Sequence, residues 1–325
     1  MTAPAAYVDG LSYALGERKA LVEESAAAGR LVSAAGDLAG AGFRWHHVCE
    51  PGTTAYDLAR AAVAPLAAAG RLSEVDALIY ATCIPANGNL GDPAAFERTG
   101  DVKHLMEFPA SRLQADFGLD DAVVIGLGQQ ACTSMLGSLR LARALLAAEA
   151  DLRSVVCVTA DRFPEGARYE QAYNLISDGA AACVVSRRPA GFRIVAAHHV
   201  TNGALGQASD DETVGSYFVY THSVVRSALD AAGLSPAELA WVVPQNTNET
   251  AWDILARLIG VDRGRVWFPS LPDVGHVISS DVVVNLAALQ DSGQLGTGDK
   301  VLVLMAGFGL NWQAVVLEAV GEVAR

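Results

Sequence analysis

The chain has 325 residues, 51% of them hydrophobic and 18% charged. That is enough apolar material for a large buried core and too little charge for a disordered or coiled-coil chain. The formal net charge of −13 argues against nucleic acid and against an anionic membrane surface as partners. The five cysteines, Cys49, Cys83, Cys132, Cys157 and Cys183, show no CxxC or Cys/His ligand spacing. Neither a disulfide framework nor a metal site is therefore expected. No basic-then-apolar leader and no apolar run of membrane-spanning length occurs, so the expected setting is the reduced cytoplasm, away from the membrane.

In chain order, residues 77–83 (ALIYATC) read as a buried strand. Turn formers crowd residues 84–93, and the stretch to about residue 107 is expected to be irregular or partly helical, long enough for a lid or an interface segment. Residues 122–127 are apolar and β-branched, a second strand, and Leu and Ala at helical spacing make residues 135–148 a helix. Between them GQQACTSMLG places Cys132 at a strand-to-helix junction. Free N–H groups and the positive end of the helix dipole there would lower a thiol pKa, which suits a nucleophile. A small core thiol fits the local sequence equally well. Residues 154–159 form the next strand. Cys83, Cys157 and Cys183 lie in apolar runs and read as core. After a soft region over 202–216, residues 240–244 read as a strand, Gly275-His276 as a second junction, 280–289 as a helix and 300–305 as a strand.

The fold class is therefore α/β. Each half runs strand, polar turn, helix, strand, as a duplication would. Two such halves would pack as related sheets with their junctions facing, bringing Cys132 to His276.

Several segments carry a further likeness. Residues 6–13 read AYVDGLSY. Phe108-Pro109-Ala110-Ser111 leads to the strand before Cys132, and Gln130-Ala131-Cys132-Thr133-Ser134 surrounds the cysteine. Ser177-Asp178-Gly179-Ala180-Ala181-Ala182, Trp241-Val242-Val243-Pro244, Gly275-His276 and Gly307-Phe308-Gly309-Leu310-Asn311-Trp312 follow in order. In sequence and spacing the chain resembles the β-ketoacyl-acyl-carrier-protein synthase III family of thiolase-like condensing enzymes. The resemblance implies a thiolase-like fold of two duplicated α/β halves in a layered αβαβα core. Residues 1–185 would hold the nucleophile Cys132, and residues 186–325 would hold Gln245 and His276. It also implies a homodimeric acyltransferase. Its acyl donor would be acyl-CoA or an acyl carrier protein, with CoA or phosphopantetheine thioester as substrate and no other cofactor.

The departures bear on the chemistry. The family triad is Cys, His and Asn, but Gln245 stands at the His position and His276 at the Asn position. Phe308 stands where many members have glycine, although its backbone N–H could still pair with that of Cys132 as an oxyanion hole. Asn246, Asn248 and Phe308 are candidate substrate contacts, the two asparagines also fitting a turn after a strand. Decarboxylative Claisen condensation with a malonyl-type thioester, in fatty-acid or polyketide-type specialised metabolism, is the family default. The exchanged residues also allow O- or N-acyl transfer with His276 as base. A non-catalytic partner subunit is a third reading, disfavoured because Cys132 is kept. His276 as a satisfied core or capping histidine is the bland alternative. Arg30, Arg44, Arg112 and Arg162 are candidate cations for a tunnel mouth, and His104 and Phe108 candidate entrance residues.

Overall fold

The computed structural model describes residues 5–88, 91–307 and 310–320. Nine strands form one mixed sheet: β1 (Tyr7–Leu15), β2 (Val75–Ala81), β3 (Val123–Leu127), β4 (Ser154–Asp161), β5 (Gly179–Ser186), β6 (Phe192–Thr201), β7 (Leu239–Pro244), β8 (Lys300–Gly307) and β9 (Asn311–Ala319). Their order is β7-β8-β9-β6-β1-β5-β4-β2-β3. The central join is narrow, since β1 and β6 pair only at Tyr7↔Arg193 and Val8↔Phe192. Two half-sheets result, β1-β5-β4-β2-β3 and β6-β9-β8-β7.

The halves repeat each other over four strands. In the first, β2 and β4 run parallel and β4-β5-β1 run antiparallel. In the second, β7 and β8 run parallel and β8-β9-β6 antiparallel. Among the described residues, only the first half has a full outer strand, β3, parallel to β2. Its counterpart is reduced to a single parallel bridge, Val242↔Val266.

The helices that build the layers are α1 (Ala55–Ala68), α2 (Ser134–Ala148), α3 (Asp210–Ala232), α4 (Glu249–Ile259) and α5 (Asp281–Asp291). Helices α2 and α5 lie between the half-sheets, α1 covers the outer face of the first, and α3 and α4 cover the second. Alternation along each strand explains the unbroken apolar runs. In β2 and β4, Ile79 and Cys157 enter the central core while Leu78, Tyr80, Val156 and Val158 enter the outer one. A sheet covered on both faces has no polar side to show. The αβαβα layering of a thiolase-like fold is thus present.

The region over 202–216 is more ordered than its composition suggests. A short 3-10 turn (Gly203–Gln207) leads to Ser209, whose side chain caps α3 while Glu212 bonds back to its N–H. This capping box starts the longest helix among the described residues, overriding the local Gly and Asp content. No helix among the described residues is long and apolar enough to cross a membrane.

Candidate active site

The turn after β3 is sharp. Gln129 and Ala131 take left-handed backbone angles (φ 65° and 44°), and a 3-10 turn, Ala131–Thr133, runs straight into α2. Such angles are unfavourable for residues with a side chain and persist only where the surroundings enforce them. Here Thr133 Oγ1 donates to the Gln130 carbonyl at 2.7 Å, and the Gln313 amide donates to Thr133 Oγ1 and Gln130 Oε1 at 2.9 and 2.8 Å. The end of β8 presses on the turn from the other side. A Cβ on Gly307 would stand 2.8 Å from Cys132 N and 3.1 Å from Ala131 Cβ, so only glycine fits.

Cys132 is almost buried yet lines a cavity. Its thiol pKa is pushed well above the ordinary value, first by a hydrogen bond with the Cys83 thiol and then by burial. The expected lowering by the helix end is therefore not found. Loss of water and a neighbouring thiol outweigh the partial charges of the helix terminus. Cys83 also departs from expectation. It lines the same cavity and is only partly buried, because β2 ends at Ala81 and the chain turns outward there. Buried Asp161 fixes that turn by accepting from Thr82 Oγ1 and from the N–H groups of Cys83 and Ile84. Cys157 and Cys183 are core, as expected.

The second junction mirrors the first. Ile278 is left-handed (φ 50°), and a 3-10 turn, Ile278–Ser280, precedes α5. His276 docks by its backbone on residues 175–177, donating to the Leu175 carbonyl and accepting from the Ser177 N–H, both at 2.8 Å. Its ring Nδ1 meets Asp281 Oδ2 at 2.5 Å. Asp281 is fully buried and also accepts from the N–H groups of Val277 (2.6 Å) and Asn246 (2.7 Å). As the first residue of α5 it sits where helix N–H groups favour an anion. A carboxylate at Nδ1 places the ring proton there and leaves Nε2 as the basic atom. Asp281 was not among the sequence candidates. Its signal was a lone acid opening the helix just after His276, indistinguishable in one dimension from a helix-start aspartate.

The junctions are tied together. Ser279 Oγ donates to the Ala131 carbonyl at 3.0 Å and shares a 2.7 Å hydrogen bond with Ser134 Oγ. Cys132 and His276 consequently line one cavity, and Gln245 and Asn248 line it too. The Gln245 side-chain oxygen is held by the Ala306 N–H at 2.6 Å. The Asn248 side chain caps α4, accepting from the Thr250 N–H at 2.9 Å. Asn246, expected as a substrate contact, does not line the cavity. Its amide is buried, donating to the Gly275 carbonyl (2.7 Å) and Ser270 Oγ (3.0 Å) and accepting from Asn285 Nδ2 (2.9 Å). It braces the loop that carries His276. Phe308 lies outside the described residues.

The cavity measures about 830 Å³, within the range of ligand sites. Ile84, Phe163, Tyr217, Phe218, Leu310 and Trp312 make its wall largely apolar. Among the described residues Arg168 is its one arginine or lysine, exposed at the rim. Arg30, Arg44, Arg112 and Arg162 do not line it, nor do His104 and Phe108. Arg112 instead stacks on Tyr56 at 4.0 Å and Arg44 lies over Trp45. The buried Asp178 carboxylate is an anchor, accepting from the backbone N–H groups of Cys49 and Phe163 and from the Tyr169 hydroxyl. No group of three or more His, Cys, Asp or Glu among the described residues could hold a metal ion.

Comparison with known proteins agrees with this fold. The family model for 3-oxoacyl-[acyl-carrier-protein] synthase III matches residues 128–203, and the model for its C-terminal part matches residues 229–319. The β-ketoacyl-[acyl-carrier-protein] synthase III of Chlamydia pneumoniae is 30% identical over 244 residues, covering 66% of this chain and 72% of that protein. The fold superposes on 3-oxoacyl-(acyl carrier protein) synthase III, FabH, from Pseudomonas aeruginosa with a TM-score of 0.80 at 23% identity, covering 98% of this chain and 99% of that one. It also superposes on the acyltransferase ChlB3 with a TM-score of 0.81 at 21% identity, covering 98% and 99%. The chain belongs to the 3-oxoacyl-[acyl-carrier-protein] synthase III family of thiolase-fold, acyl-transferring condensing enzymes.

Proposed function

We propose that this enzyme loads an acyl group on Cys132 from an acyl-CoA or acyl-carrier-protein thioester and passes it to a hydroxyl or amine. The observation that carries this reading is the 2.5 Å contact between His276 Nδ1 and buried Asp281. A carboxylate behind the ring steadies the imidazolium that forms when Nε2 takes a proton. Because burial and Cys83 keep the Cys132 thiol neutral at rest, loading needs such a base. His276 takes the thiol proton and the sulfur attacks the thioester carbonyl. The backbone N–H of Cys132 receives the developing oxyanion, with that of Phe308 as its candidate partner. The leaving thiol takes the proton back. The acceptor then enters, His276 removes its proton, and the ester or amide leaves with Cys132 restored. An apolar wall suits the acyl chain, and rim residue Arg168 suits the anionic groups of the donor.

Decarboxylative condensation remains the second reading, favoured by Gln245. With its oxygen tied to Ala306, an amide at the cavity wall is a candidate second donor, beside His276, to a malonyl thioester oxygen. A homodimer is part of the proposal. Edge strand β3 exposes Val123, and Val102, Met106 and Phe108 are exposed in the preceding segment, an apolar set that a second copy would cover. Five free thiols fit a reducing cytoplasm.

The test is intact-protein mass after incubation with a panel of acyl-CoA thioesters, for the wild type and Cys132→Ala. An acyl adduct on the wild type alone is expected. Hydroxyl and amine acceptors should then discharge it, while malonyl-CoA leaves it in place. Discharge by malonyl-CoA with release of CO₂ would establish condensation instead. A folded wild type that takes no acyl group from CoA or carrier-protein thioesters would return the partner-subunit reading.

A further inference from the structure

Two pairs of thiols lie side by side among the described residues. Cys157 and Cys183 lie directly opposite each other on β4 and β5, fully buried in the central core. Cys83 and Cys132 meet at the wall of the cavity, the first partly exposed and the second nearly sealed. The two pairs are alike in their proximity and differ in access. Cys83 is also rigidly presented, since buried Asp161 holds its backbone N–H at 3.0 Å and that of Ile84 at 3.0 Å. Nothing in acyl transfer as derived above uses a second thiol.

We propose that Cys83 and Cys132 form a reversible disulfide site, in which Cys83 is the resolving thiol that protects the nucleophile from irreversible oxidation by peroxide. The peroxide enters by the cavity and oxidises one thiol to a sulfenic acid, releasing one water: R–SH + H₂O₂ → R–SOH + H₂O. The neighbouring thiol attacks that sulfur, the S–S bond forms, and the oxygen leaves as a second water: R–SOH + R′–SH → R–S–S–R′ + H₂O. Two thiols are oxidised and one peroxide is reduced. A dithiol reductant reverses the step by thiol–disulfide exchange, restoring Cys132. Without a resolving thiol in contact, the sulfenic acid of Cys132 is open to a second peroxide and becomes sulfinic acid, which dithiols do not reduce. The Cys157–Cys183 pair has no route from solvent and stays reduced.

The full-length protein is treated with hydrogen peroxide, then with an alkylating agent, and followed by intact mass and by peptide mapping without reductant. The wild type is expected to lose the mass of two hydrogens, to show a peptide linking Cys83 with Cys132, and to regain both alkylatable thiols with dithiothreitol. Cys83→Ser, with Cys83→Ala as a second variant should the first not fold, is expected to gain oxygen on Cys132 that dithiothreitol does not remove. Wild-type Cys132 passing to sulfinic acid with no link to Cys83 would overturn the proposal. So would a link confined to Cys157 and Cys183. Neither readout depends on acyl transfer, so failure here leaves the proposed function standing.

Discussion

The two halves build the same device and finish it differently. In each, a left-handed residue opens a 3-10 turn that runs into a central helix: Ala131 before α2, and Ile278 before α5. Position by position, Cys132 corresponds to Ser279 and Ser134 to Asp281. In the first half the residue after the left-handed one lines the cavity. In the second, Ser279 is turned into hydrogen bonds with Ala131 and Ser134, while Ile278 faces the cavity. The second half spends its junction on holding the first. Its chemical group, His276, comes from just before the turn, and its helix-start residue has become the carboxylate that orients that ring. A duplicated scaffold thus yields a nucleophile on one side and a base with its support on the other. A helix start is a strong place for either, because free N–H groups serve a thiolate and a carboxylate alike.

The largest expected effect tests the nucleophile side. Cys132→Ala should abolish acyl loading, a fall of at least about a thousandfold measured as adduct formation. Asp281→Asn tests the base side. The amide cannot accept from Val277 and Asn246 while also orienting His276, so acceptor-dependent discharge of the acyl adduct should fall about a thousandfold, against a smaller effect on thermal stability. Equal loss in stability and turnover would make Asp281 a structural residue only. His46 separates the two buried histidines. It has no carboxylate: burial lowers its pKa to about 4 against the opposing pull of the Ile176 carbonyl at Nδ1, while Nε2 shares a 2.6 Å hydrogen bond with Ser25 Oγ. The unfolded chain protonates this ring near 6.5 and so binds more protons between the two values. Stability should therefore fall as pH drops from about 6.5 to about 4, by up to about 3 kcal/mol. Urea unfolding of the wild type against His46→Gln across that window checks the sign. Gly307→Ala pushes a methyl against Cys132 N and should slow loading about 100-fold through misplacement of the turn. Ser279→Ala loosens the tie between the junctions and should cost about 1 kcal/mol in denaturant unfolding.

The sequence determined a good deal unaided. Period and composition placed β2, β3, β4, β7, β8, α2 and α5 close to their observed limits. This worked because a sheet covered on both faces demands continuous apolar runs, and those are visible in one dimension. The junction chemistry placed Cys132 and His276 at strand or loop ends before helices, and the duplication argued that they meet. What it could not supply were partners brought by packing. Asp281, five residues from His276, looked like any helix-start acid. Asn246 looked like a turn residue and proved to be a buried brace. Cys83, at the end of an apolar run, read as core and lies instead at the cavity wall beside Cys132. Even the direction of the Cys132 pKa was decided in three dimensions, because desolvation and a touching thiol depend on neighbours far along the chain, whereas the helix end that argued the other way is local. Local patterns report what a residue's own backbone does. Only the tertiary structure decides which distant side chain it meets and how much water is left between them.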